Sequence, residues 1–110
     1  MLTLSIKMKI LLCTYPNDWR KLKNLITALL KKKLIACANV MNYAKSYYLW
    51  EWKIKKDEEK IILIKYPKEK EWELLSFIKK NHPYEVPELI TLNPESVDEN
   101  YLNRVYESTK

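Results

Sequence analysis

The chain of 110 residues contains no glycine. That single absence excludes the G-x-G-x-x-G dinucleotide turn, the Walker-type phosphate loop and the G-x-S-x-G nucleophile elbow, because each needs a backbone position that a side chain would block. The glycine-dependent RNA-recognition strand motif and the KH clamp loop fall with them. Turns and helix stops are then expected to rest on Pro and Asn, the other residues that suit turn or left-handed backbone. With 47% hydrophobic residues and an apolar core in reach at this length, residues 1–110 read as a single globular domain.

No apolar run approaches the roughly 20 residues that cross a bilayer, and no signal-like opening is present, so a cytoplasmic protein without a membrane partner is expected. Cys13 and Cys37 stand far apart without a C-x-x-C pair and read as reduced thiols. His82 is the single histidine, so one protomer cannot build a two-histidine metal site. The formal charge of +6 reads first as lysine-rich solvated faces. Tyr48, Trp50 and Trp52 beside lysines could stack single-stranded bases, but no recognition motif accompanies them and nucleic-acid binding is not expected.

Residues 1–7 alternate apolar and polar before Met8, which is either the true start or the continuation of a first strand extended leftward. Lys9–Thr14 reads as a buried strand closed by Tyr15-Pro16, and Asn17 or Asp18 caps a helix whose apolar stripe is Trp19, Leu22, Leu25, Ile26, Leu29 and Leu30. Leu34–Met41 reads as a packed strand that Asn42 breaks or kinks. Ser46–Lys56 continues extended, with Tyr48, Trp50, Trp52 and Ile54 on one face. Asp57-Glu58-Glu59 reads as the turn into Lys60–Tyr66, a strand apolar on both faces and therefore covered on both.

Pro67 suits the first turn of a helix to about Asn81 with Trp72, Leu75 and Ile78 inward and Leu74 beside them. Pro83 ends it. Glu88–Leu92 is a fourth strand, and Ser96-Val97-Asp98-Glu99 has capping-box spacing for a terminal helix. The order is a β-α-β-β-α-β core with an extra C-terminal helix, an α+β sandwich of ferredoxin-like type. Two helices cover one sheet face, so the doubly apolar strand calls for a second protein chain.

Leu12-Cys13-Thr14, the run from Leu34 to Val40, Tyr48-Leu49-Trp50-Glu51, the His82-Pro83-Tyr84-Glu85-Val86-Pro87-Glu88 segment and Tyr101-Leu102 together resemble the CutA family of divalent-cation tolerance proteins. The resemblance runs from Met8 to about Val105. It implies a homotrimer similar in architecture to PII signalling proteins, an association with copper or another divalent cation that folding does not require, and no enzymatic activity. The family's bacterial metal pattern uses the first-strand cysteine and a His-His pair, onto which Cys13 and His82 map, with Asn81 in place of the other histidine. Trp52 stands where the family's Trp-x-Gly has glycine.

Cys13 and His82 are thus the candidate metal ligands, a thiolate and an imidazole suited to copper or zinc. The plainer alternatives are a small buried hydrophobe and a ring bonded to a carbonyl at a helix end. Lys65, Tyr84, Glu85 and Glu88 are candidates to line a cleft at a subunit boundary, or Glu88 pairs with Lys65 across strands. Trp50 and Tyr48 either take an aromatic or cationic ligand or fill an inter-subunit core. A PII-like sensor that binds an anionic small molecule through Lys65 is the competing function.

Overall fold

The computed structural model describes residues 7–110, so the expected leftward extension of the first strand lies outside the described residues. In chain order the elements are β1 (Met8–Pro16), α1 (Trp19–Lys31), β2 (Cys37–Trp50), β3 (Lys53–Pro67), a 3-10 turn at Lys68–Lys70, α2 (Glu71–Asn81), β4 (Leu89–Leu92) and α3 (Glu99–Ser108). The strands hydrogen-bond in the order β2-β3-β1-β4, all antiparallel. That is the ferredoxin-like α+β arrangement with an additional terminal helix.

Local chemistry starts and stops the helices. Asp18 caps α1 by accepting from the Lys21 backbone N–H at 3.2 Å, and Asp98 caps α3 by accepting from Tyr101 at 3.1 Å. Leu22, Leu25 and Leu29 of α1 and Leu74 and Ile78 of α2 are buried against Leu11, Cys13, Ile62, Ile64 and Tyr66 of the sheet. Trp72, expected inward, is exposed: the buried stripe of α2 runs through Leu74 and Ile78. Pro67 ends β3 rather than opening the helix, and His82 is extended, as residues before proline are.

Without glycine, the chain puts ordinary side chains into left-handed backbone. Lys33, Tyr43, Glu51 and Trp52 have φ of 62°, 63°, 52° and 66°. None is the Pro or Asn that composition suggests. Lys33 closes α1: its N–H donates to Leu30 and the Leu34 N–H donates to Leu29, the double bond of a Schellman stop, where glycine is usual. Glu51 and Trp52 are the two central residues of the β2–β3 hairpin, where Trp50 pairs Lys53 and both φ values are positive, as a type I′ turn requires.

The turn therefore lies at Glu51-Trp52. Asp57-Glu58-Glu59, expected to turn, are mid-strand in β3 and pair with Ser46, Lys45 and Ala44. Ile54 consequently opposes Leu49 and shares its face, not that of Trp50. Trp52 is 96% exposed, so its ring contributes little packing against the cost of left-handed backbone. Trp52→Gly is expected to stabilise the fold by about 0.5–1 kcal/mol, the relieved strain exceeding the added freedom of the unfolded chain. Urea unfolding at one fixed protein concentration measures it, and an unchanged or lower midpoint would refute the assignment of strain.

β2 is continuous through Asn42 but bulged. Met41 pairs Ile61 and Ala44 pairs Glu59, so Asn42 and Tyr43 oppose Lys60 alone. The Lys60 ammonium holds the Asn42 side-chain carbonyl at 2.6 Å. Before the bulge, Ala38 and Val40 share the helix-covered face with Ile64 and Ile62; after it, Ser46, Tyr48 and Trp50 lie on the opposite face with Lys53, Lys55, Asp57 and Glu59. That opposite face carries Ile10, Leu12, Ile61, Leu63, Ile90 and Leu92 across β3, β1 and the edge strand β4, and Ile90 is 45% exposed.

Candidate functional site

β1 ends where the β2–β3 hairpin runs on past it, and the 82–88 segment folds back over that end of the sheet. His82 anchors the segment. Its Nε2–H donates to the Thr14 carbonyl at 2.7 Å, and its Nδ1 accepts the Tyr84 backbone N–H at 3.0 Å. The ring is flanked by Tyr15 edge-on at 5.1 Å and by Tyr84 at 5.0 Å. With a carbonyl on one nitrogen and an N–H on the other, the imidazole is the neutral Nε2–H tautomer and has no free lone pair.

Cys13 meets the same carbonyl, its thiol donating to Thr14 at 3.3 Å. The side chain is 1% exposed, and burial pushes its pKa from 9.0 up to about 12, with the Glu88 and Glu59 charges adding to the rise. It is a protonated core thiol. The two candidate ligands are brought together, but as donors to one backbone oxygen. As folded, they do not fit a copper or zinc ion, which needs a thiolate and a bare imidazole nitrogen. Among the described residues no group of at least three His, Cys, Asp or Glu side chains is placed to hold a metal. Asn81 is turned away, its amide donating to Phe77 of its own helix at 2.8 Å.

Beside this anchor lies an open cleft of about 780 Å³. Its aromatic walls are Tyr48 and Trp50 from β2 and Tyr84 from the folded-back segment, and its carboxylates are Asp57, Glu59 and Glu88. Of the expected cleft residues, Trp50, Tyr84 and Glu88 therefore converge. Lys65 does not. It pairs with Ile10 and Cys37, its ammonium sits on the Asn39 side chain, and the β1 register sets Ile10 by Leu92, at the far end of β4 from Glu88. The alternative Glu88–Lys65 pair is absent for the same reason.

Asp57 and Glu59 were not expected here, because they read as turn residues. Glu59 accepts from Ser46 Oγ at 2.6 Å and from the Tyr84 hydroxyl at 3.1 Å, and Tyr48 donates its hydroxyl to Asp57. Both phenols are held above their ordinary pKa of 10.0. For Tyr48 the chief cause is its bond to Asp57; for Tyr84, raised to about 12, it is burial, followed by the Glu59 charge. The only sequence signal for these acids was their even spacing with Lys55, which places all three on one strand face.

Residues 9–108 match the family model described as CutA1 divalent ion tolerance protein. The chain belongs to the CutA1 family. A divalent-cation tolerance protein CutA from Pyrococcus horikoshii is 39% identical over 103 residues, spanning 94% of this chain and 99% of that protein. Its counterpart in Yersinia pestis is 36% identical over 94 residues, spanning 86% of this chain and 78% of that protein. The CutA1 crystal structure from Ehrlichia chaffeensis superposes with a TM-score of 0.89 at 30% identity, covering 96% of this chain and 99% of the other. These CutA1 relatives are named for tolerance to divalent cations rather than for a reaction. No described helix is long and apolar enough to cross a membrane. A CutA from Archaeoglobus fulgidus, 27% identical with a TM-score of 0.86, is described as periplasmic.

Proposed function

We propose that this CutA1 chain serves divalent-cation tolerance as a non-enzymatic homotrimer, with its open sheet face buried against two further copies. The observation that carries the reading is that face: Ile10, Leu12, Ile61, Leu63, Ile90 and Leu92 form a contiguous apolar surface on the side opposite the α1 and α2 packing. Surfaces of this kind on monomers mark protein contacts, and identical chains close most simply around a symmetry axis. In this reading copper has no resident site at Cys13 and His82, since their donor atoms are already committed within the chain. The PII-like anionic sensor loses its anchor, because Lys65 stands away from a cleft that is itself acidic. The cytoplasm is the compartment assigned, on two unbridged thiols; the periplasm is the competing one.

Sedimentation at micromolar concentration tests the assembly. A particle of about 40 kDa, three times the 13.3 kDa chain, is expected, unchanged by salt because apolar burial does not screen. A 13.3 kDa species would overturn it. Copper(II) titrated into the same sample is expected to give no tight binding that His82→Ala removes.

A further inference from the structure

β1 pairs with β3 as far as Pro16 and Glu59, so beyond that point the sheet narrows to a ribbon of two strands with no third to pin it. Tyr47, Leu49 and Ile54 stand on the helix side of this ribbon and Tyr48 and Trp50 on the other, and all five are exposed. Register is firmly specified where one face of a strand is buried and the other is not; within the chain, neither face of the ribbon makes that choice. The observed register is also a costly one. Of the four described residues with left-handed backbone, Tyr43, Glu51 and Trp52 all lie here, one at the bulge and two at the turn. Strain of this kind gathers in segments that switch.

Continuing the Met41–Ile61 pairing straight through Asn42 gives a second register without the bulge. Lys45 then opposes Asp57 instead of Glu58, Tyr47 opposes Lys55 instead of Lys56, and Tyr48 opposes Ile54 instead of Lys55. Leu49 closes the hairpin against Lys53, with Trp50-Glu51-Trp52 as a three-residue loop, a form that asks for one left-handed residue where the observed register has three. The sequence tolerates the shift because it repeats its chemistry in neighbouring positions: Tyr47-Tyr48, Leu49-Trp50, Lys55-Lys56 and Asp57-Glu58. Opposite charges still face each other, and the open side still receives two large side chains, now Tyr47 and Leu49. What the second register gives up is the bond of Ser46 to Glu59 and that of Tyr48 to Asp57.

We propose that the β2–β3 ribbon is a two-register switch, exchanging between the bulged pairing and an unbulged one shifted by one residue. The exchange decides whether Tyr48 and Trp50 or Tyr47 and Leu49 stand on the open side of the sheet. The two hydroxyl–carboxylate bonds make the bulged form the major one, and a partner that meets one pair of side chains but not the other shifts the balance.

Disulfide trapping in the full-length protein tests it. Leu49 and Ile54 face each other in the bulged register, whereas Tyr48 and Ile54 then lie on opposite faces, where two cysteines cannot bridge. Under a mild oxidant, Leu49→Cys/Ile54→Cys is expected to bridge fast, and Tyr48→Cys/Ile54→Cys more slowly but to completion. Peptide mass mapping distinguishes each bridge from any that involves Cys13 or Cys37. Fraying of the tip would also let positions 48 and 54 meet, so both pairs are repeated with Tyr43 deleted. That deletion leaves a regular ladder with Tyr48 opposite Lys55 and no extra residue to take up a shift. It is expected to slow the bridge between positions 48 and 54 about tenfold or more and to leave that between 49 and 54 unchanged. Glu51→Gly, which eases the turn of the bulged form alone, reports even if the deletion fails to fold, and is expected to slow the 48–54 bridge about twofold to fivefold. No bridge between positions 48 and 54, or one that forms equally fast in the deletion or in Glu51→Gly, would overturn the proposal.

Discussion

Ile90→Glu is expected to convert the particle of about 40 kDa into single chains of 13.3 kDa. Ile90 lies opposite Leu12 on the edge strand β4, within the open apolar face, and in the isolated chain it is 45% exposed. A glutamate there can reach water in the monomer, so the fold itself bears little cost. In the assembly the same carboxylate is buried without a partner in every copy, and each such burial costs several kcal/mol, about the worth of a modest interface. Trp72→Glu is the matched control, because Trp72 is exposed on α2, away from that face, and its replacement is expected to leave the mass unchanged. Sedimentation of both variants, with circular dichroism to confirm the fold, reads the result. An Ile90→Glu protein that still sediments as a trimer would show that the open sheet face is not where the copies meet.

The second large effect is expected at His82. Removing the ring in His82→Ala leaves the Tyr84 N–H without its partner and the Thr14 carbonyl with only the weak Cys13 thiol bond, and opens a void between Tyr15 and Tyr84. A loss of about 3 kcal/mol follows from one small cavity, one orphaned N–H and one weakened carbonyl. His82→Gln, which can keep one of the bonds, is expected to lose less. Urea unfolding with and without a chelator distinguishes the roles: a structural imidazole costs the same in both, whereas a metal ligand would cost stability only when metal is present. A loss that appears solely with copper would return His82 to the metal reading.

Much of the architecture was legible because it rests on periodicity. The three-and-four spacing of Leu22, Leu25 and Leu29 and the doubly apolar run at Ile61–Ile64 each have one economical placement, and the chain takes it. The hairpin tip was illegible for a physical reason. Glu51-Trp52 bears none of the Asn or Gly that mark a type I′ turn, whereas Asp57-Glu58-Glu59 has the composition of a turn yet stays in the strand, Asp57 and Glu58 on the exposed ribbon beyond β1 and Glu59 held by the Ser46 and Tyr84 hydroxyls. The error moved Asp57 and Glu59, two of the three carboxylates of the cleft, out of view. His82 was legible as a residue of consequence, but the allocation of its two nitrogens depends on where the Thr14 carbonyl falls after folding, and no spacing in the chain encodes that.

The bulge at Asn42-Tyr43 makes β2 a strand of two phases. Every side chain beyond it is displaced by half a period relative to those before it. Pairing β2 with β3 without the bulge, at unchanged length, would leave the hydrogen bonds of a ladder available and still turn Tyr48 and Trp50 to the side of the helices, while Tyr47 and Leu49 rotated into the cleft. Removing one of the two bulged residues, by contrast, would give a regular ladder with Tyr48 still opposite Lys55 and Trp50 still opposite Lys53. The side on which the rings stand is thus set by a counting rule that operates several residues away from them. The extra residue at Asn42-Tyr43 lets a sequence whose alternation changes phase keep one continuous strand.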